Sequence, residues 1–149
     1  MRRVGLSLLL LIAAVSSFPA AQTPRTIEII AGDDMKWNMS KITAKPGEAL
    51  RIKLTSKGVI PKVAMAHNFV LLKAGTIPQK FIDAGASDRG TDFIAPSMKA
   101  QVHAASRFAG PGETVYVTFK APGKAGNYPY LCTFSGHFQA GMKGVLTVK

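Results

Sequence analysis

Cysteine is nearly absent from this chain: its 149 residues include one, Cys132. A single thiol cannot build an internal disulfide framework, and in an exported chain it points to an intermolecular bond, a reactive thiol or a thiolate held by a metal. Long hydrophobic runs are missing too. The longest, Leu6 to Val15, is ten residues, about half of the ~20 that a bilayer-spanning helix needs. Acidic residues are scarce, 8 against 19 lysines and arginines, which gives a net charge of +11. The lysines nevertheless stand singly from Lys36 to Lys149. No basic cluster is interleaved with aromatics in the manner of single-strand binders, so a nucleic-acid partner is not expected.

What the chain does contain begins with an address label. Arg2 and Arg3 form a positive n-region, Leu6 to Val15 an apolar h-region, and Pro19-Ala20-Ala21 a small-residue cleavage site, the layout of a secretory signal peptide. Residues 1–21 are therefore expected to be cleaved, leaving a periplasmic protein without a membrane anchor. Residues 22–25 read as a flexible lead-in and 26–149 as a single domain, expected to act as a monomer. The two arginines go with the leader, so 17 basic residues face 8 acidic ones and the net charge becomes +9. Such a surface favours acidic partners through electrostatic steering.

Short alternating segments dominate the rest. Thr26 to Ile30 alternates as a first strand and Met35 to Asn38 as a second short one, with Trp37 assigned to the core. Pro46-Gly47-Glu48 and Pro111-Gly112-Glu113 each lead into strict period-two alternation, Leu50 to Leu54 and Val115 to Phe119, which reads as repeated hairpin chemistry. His67 to Leu72 is a more apolar strand, buried on both faces. Gln101 to Ala104 and Tyr128 to Leu131 are weaker strands, and Gly144 to Val148 is a clear final one. Between residues 77 and 86 the pattern predicts a short helical excursion starting at Pro78, followed by loop. Seven to eight strands with turn signals at intervals predict an all-β sandwich.

The chemistry gathers at Cys132-Thr133-Phe134-Ser135-Gly136-His137-Phe138-Gln139-Ala140-Gly141-Met142. Cysteine, histidine and methionine recur at steps of five, too long for one helical face. Gly136 and Gly141 also argue for a loop. A thiolate, an imidazole and a thioether together select copper, and a second imidazole would complete a blue-copper set. His67 supplies one, at the start of the apolar strand. His103 has no motif around it and reads as an ordinary strand or surface histidine.

With Met65-Ala66-His67-Asn68, Cys132-Thr133-Phe134-Ser135-Gly136-His137 and Gly141-Met142-Lys143-Gly144 in view, the chain resembles the azurin and auracyanin type of small blue copper protein, a cupredoxin, over nearly all of its mature length. The resemblance implies a Greek-key β-sandwich. It also implies one copper ion held by His67, Cys132 and His137, with Met142 as a weak axial ligand and the Ala66 carbonyl as a distant contact. By the same likeness Asn68 and Phe134 tune the site from behind the ligands. His137 serves as the electron port, within an apolar patch of Met35, Ile60, Met65, Phe134, Ala140 and Gly141. The sequence also departs from azurins. Ala66 stands where they carry glycine, Ser135 where proline is common, and their disulfide has no counterpart. The step from His137 to Met142 is one residue longer, as in auracyanins and plastocyanins.

The function so implied is single-electron transfer, with no substrate transformed. Its partners would be redox proteins with an acidic docking face, such as a c-type cytochrome or a membrane oxidase or dehydrogenase. Two other classes compete. A copper carrier would want a more open site than three ligands on one strand-bounded loop. A cysteine-nucleophile hydrolase would want a helix and a family signature that the chain does not show. Zinc could also occupy a Cys-His-His set, giving a colourless, redox-silent form.

Overall fold

A computed structural model describes residues 22–149; the expected signal peptide, residues 1–21, lies outside the described residues. Alternation translates directly into strands with one buried face. In β1 (Arg25–Ala31) the residues Ile27, Ile29 and Ala31 point inward, and in β3 (Ala49–Ser56) Leu50, Ile52 and Leu54 do the same. β3 lies between β1, which runs parallel to it, and the antiparallel β6 (Thr114–Lys120), forming a three-stranded sheet. The second sheet has five strands in the order β2 (Lys41–Ala44), β8 (Lys143–Val148), β7 (Gly126–Leu131), β4 (Val70–Leu72) and β5 (Val102–Ala105). Their inner faces meet in one core that joins Ile29, Leu50, Ile52 and Leu54 to Phe69, Leu71, Tyr130 and Leu146. The expected all-β Greek-key sandwich is what forms, with eight strands among the described residues.

β4 shows why a continuous apolar run means burial on both faces. Phe69 and Leu71 enter the core between the sheets. Val70 and Leu72 turn outward, where Phe81 from the helix α1 (Pro78–Gly85) covers them together with Leu131 and Phe138. Each such side chain contributes about 1.5–3 kcal/mol by leaving water. The helical excursion starts at Pro78, as the sequence predicts. The stretch after it, expected to be loop, carries two 3₁₀ segments, Arg89–Thr91 and Pro96–Gln101.

Several local expectations fail for identifiable reasons. Met35 to Asn38 is not a strand: Met35 sits at φ 54° and Trp37 makes only an isolated bridge to Ala31. The turn is held because Asp33 sends its carboxylate to the Val59 and Ile60 amides, at 2.7 and 3.3 Å. Trp37 is half-buried, stacked on Tyr130 at 5.3 Å. Lys41–Ala44 is a strand the sequence reading did not assign, because its alternation, with Ile42 and Ala44 buried, runs for only four residues. Neither Pro-Gly turn closes a hairpin: Pro46-Gly47 carries the chain from β2 to β3 and Pro111-Gly112 from β5 to β6, in each case from one sheet to the other. Arg25 is not part of a flexible lead-in. It opens β1, and its guanidinium holds Glu48 at 2.6 Å and the Thr43 carbonyl at 2.7 Å.

The topology converges on one end of the five-stranded sheet. The β7–β8 ladder ends at the pair Leu131 and Lys143, so Cys132 and Met142 face each other just beyond it. There the Cys132 N–H donates to the Met142 carbonyl at 3.0 Å. β4 pairs with β7 through Val70 and Leu131, which brings His67 to the same end.

Candidate metal centre

Between Cys132 and Met142 the backbone makes a single helical turn, α2 (His137–Ala140), which the two glycines had argued against. They do not interrupt it. Gly136 (φ 82°) and Gly141 (φ 110°) stand at its two ends in the left-handed region, where glycine costs least. The Met142 N–H then donates to the His137 carbonyl at 3.0 Å, so both neighbouring ligand residues hold the Met142 backbone. His67 is fixed differently. Its backbone exchanges two hydrogen bonds with Ala109, at 3.0 and 2.8 Å.

The donor atoms of His67, Cys132 and His137 all lie within 4.8 Å of one another. The two imidazole centroids are 4.9 Å apart, and His137 Nδ1 is 3.5 Å from Cys132 Sγ. Cys132 and His67 are fully buried, and His137 is 2 % exposed. Neither ring nitrogen of His67 has a hydrogen-bond partner. Leaving a buried polar atom unpaired costs about 1–3 kcal/mol. A neutral imidazole has one lone pair and one N–H, and a metal ion accepting the lone pair removes that cost at one of the two nitrogens, the observation on which the fit of a metal rests.

Burial also sets the protonation states. It depresses both imidazoles below their ordinary value, His137 to about 4, so both are neutral and able to ligate at neutral pH. Neighbouring Asp33 and Asp34 pull His67 weakly the other way. The same burial pushes the Cys132 thiol up to about 12, partly offset by the backbone amides of Asn68 and Phe134, which favour the anionic sulfur. Behind the ligands, the Asn68 side chain accepts the Thr133 N–H at 2.9 Å and donates to Thr133 Oγ1 at 2.8 Å. Thr133 Oγ1 in turn donates to the Asp92 carbonyl at 2.6 Å.

The other residues singled out in the sequence differ in burial and in what they touch. Met142 is fully buried and packs in the same core as Cys132. The Ala66 carbonyl lies 3.9 Å from Cys132 Sγ. Phe134 is half-buried, its ring 4.8 Å from that of His137. Met35 and Met65 are half-buried, while Ile60, Ala140 and Gly141 are exposed. His103 is elsewhere, its Nε2 2.8 Å from the Lys120 carbonyl. Sequence reasoning missed Thr133, Asp33 and Ala109. Thr133 could have been noticed as a polar residue following an apolar strand. Nothing in the spacing connects Asp33 with Val59 or Ala109 with His67.

The family model for copper binding proteins of the plastocyanin/azurin family matches residues 25–149. The chain belongs to that family. It is 35% identical to azurin of Pseudomonas aeruginosa over 146 residues, spanning 93% of this chain and 97% of that protein. Auracyanin-A of Chloroflexus aurantiacus is 34% identical over 127 residues, or 84% of this chain and 75% of the relative. Among solved structures, reduced auracyanin from Roseiflexus castenholzii superposes with a TM-score of 0.73 at 29% identity, covering 87% of this chain and 99% of that one. The cupredoxin is a blue copper electron-transfer protein whose single copper site is formed by His67, Cys132 and His137.

Proposed function

We propose that this cupredoxin works in the periplasm, carrying one electron at a time between larger redox proteins without transforming a substrate. The observation that carries this is the fully buried His67 ring with two unpartnered nitrogens, in a donor set closed to within 4.8 Å. A buried, pre-arranged set changes the charge of its metal with little movement of the ligands, which suits electron transfer better than delivery of the ion. Bound copper supplies a one-electron couple, Cu(I)/Cu(II), whose potential depends on the axial ligand and on the hydrogen bonding and apolarity around the cysteine sulfur.

The chain's own residues then divide the work. Met142, its backbone tied to both Cys132 and His137, would offer its thioether as a weak further ligand. The backbone amides of Asn68 and Phe134, which favour the anionic sulfur, would tune the couple, and the Ala66 carbonyl, 3.9 Å from Cys132 Sγ, would offer a further oxygen near the ion. The Asn68–Thr133 pair holds the ligand loop against the start of the apolar strand. His137 is the exit for the electron, within a patch of Met35, Ile60, Met65, Ala140 and Gly141. The excess of basic residues suits partners with acidic faces, such as a c-type cytochrome or a membrane oxidase or dehydrogenase. No helix among the described residues is long and apolar enough to cross a membrane.

The visible spectrum after addition of Cu(II), repeated on Cys132→Ser, tests the centre. An intense thiolate-to-copper band in the wild type that vanishes in the variant is expected. A colourless wild type would overturn the assignment.

A further inference from the structure

Beside the ligand set, a cavity of about 150 Å³ opens among Phe93, Phe108 and Phe134, with Ala66 and Val63 completing its wall and Lys62 and Arg89 also lining it. The three rings meet edge to face at 5.5, 5.7 and 6.2 Å. An apolar cavity of about 150 Å³ holds one benzene ring, whereas drug-sized ligands need ~300–1,000 Å³. The volume fits a single aromatic group.

The charged lining defines the surroundings of that group. Two cations and no carboxylate line the cavity. The Lys62 stem lies across Gly110, where any side chain would strike it, and its Nζ engages Glu113 at 2.7 Å. Arg89 is exposed and makes no ion pair among the described residues. Its planar guanidinium is suited to bidentate capture of a carboxylate. The wall is also held at a cost to the backbone: Asp92 and Phe93 occupy the left-handed region in succession, φ 54° and 57°, a strain that the surrounding structure must impose. The hydrogen bond from Thr133 to the Asp92 carbonyl ties that pair to the residue following Cys132.

We propose that this cavity is a socket for one aromatic side chain of the electron-transfer partner, flanked in that partner by carboxylates that pair with Arg89 and Lys62. The proposal rests on the reading of this protein as a carrier that meets acidic partners, and it names where such a partner is anchored. Phe93, Phe108, Val63, Lys62 and Arg89 all lie outside the apolar patch assigned above to the port. Aromatic and arginine anchors seated in well-packed pockets carry much of the energy of an interface. Through Phe134, whose ring lies 4.8 Å from that of His137, the anchored ring stands one side chain away from a copper ligand.

The test is an NMR titration of the Cu(I)-loaded protein with a capped pentapeptide of four aspartates around a central phenylalanine. A second peptide with alanine at the centre serves as comparison. Saturable shifts at Phe93, Phe108, Phe134 and Arg89 are expected, with about tenfold or greater loss of affinity for the alanine peptide. Arg89→Glu, at an exposed position, is expected to weaken the phenylalanine peptide to a similar degree while leaving the thermal midpoint in place. Equal affinity for both peptides would reduce the interaction to charge alone and overturn the socket, as would shifts confined to another face. Stopped-flow oxidation of the same Cu(I)-loaded protein by ferricyanide separates the two readings. Oxidation together with equal affinity for the two peptides removes the socket and leaves the carrier, and absence of oxidation overturns the carrier reading and with it the partner assigned to the socket.

Discussion

At the scale of single residues, this site is governed by burial acting in opposite directions on different acids. The Cys132 thiol is pushed up to about 12 while His137 falls to about 4. At pH 7 the metal-free protein therefore holds a protonated thiol beside neutral imidazoles. Uptake of Cu(II) must displace the thiol proton, and a weakly buffered titration at pH 7 is expected to release about one proton per copper. Release of two or more would mean that a histidine is charged in the metal-free state. The same shifts fix the pH dependence of metal-free stability. Because the folded histidines lie below their ordinary value of 6.5, the unfolded chain takes up protons first. Stability is full above that value and is lost as the pH falls through the window towards about 4. For Cys132 the folded value lies above the ordinary 9, so stability also falls as the pH rises beyond 9. Urea midpoints of the metal-free protein at pH 7.5, 5.5 and 4.5 are expected to decline in that order. A flat series would show the histidines to be exposed.

At the scale of elements, the ligand loop is a connection whose two ends are the last pair of a strand ladder, and it is as rigid as that ladder is well packed. Gly144 in β8 faces Tyr130 in β7, and a methyl group there would collide with the Tyr130 ring and hydroxyl and with the Ser40 carbonyl. Tyr130 is fully buried, its hydroxyl donating to the Met39 carbonyl at 3.0 Å. Gly144→Ala is thus expected to cost about 1–3 kcal/mol as an overpacking change, read as a lowered urea midpoint. An unchanged midpoint would show that the β7–β8 pair yields freely. Strands were legible where a long alternation or an unbroken apolar run marks them, as in Leu50 to Leu54 of β3 and in the apolar run whose end, Val70–Leu72, is β4. Cys132, His67 and His137 were legible because few chemistries need those three types in one chain. The turn at Met35 was not, since it depends on a carboxylate meeting amides 26 and 27 positions away. β2 was not, because its parallel partner β8 lies about a hundred residues on. Gly136 and Gly141 were read as breakers when they are the caps of one turn, a distinction that only their φ values reveal.

At the scale of the whole molecule, the charge is unbalanced and remains so after local pairing. Arg25–Glu48, Lys53–Glu28 and Lys62–Glu113 are the ion pairs among the described residues, and each has at least one partner well exposed to water. Such pairs contribute little to stability, about 0–1 kcal/mol each. Their larger effect is to take up three of only eight acidic side chains, leaving most basic residues to set the field around the protein. A positive field of this kind accelerates encounter with an acidic partner at low salt by ~10–10³-fold. The gain fades once the Debye length shrinks from about 30 Å at 0.01 M to about 10 Å at 0.1 M. Stopped-flow electron exchange with an acidic redox protein is therefore expected to slow by about tenfold or more between 0.01 and 0.5 M salt. Exchange with a neutral small-molecule reductant should change little over the same range, because that encounter involves no partner charge. A rate with the acidic protein that ignored salt would assign docking to apolar contact alone and leave the basic surplus without a part in it.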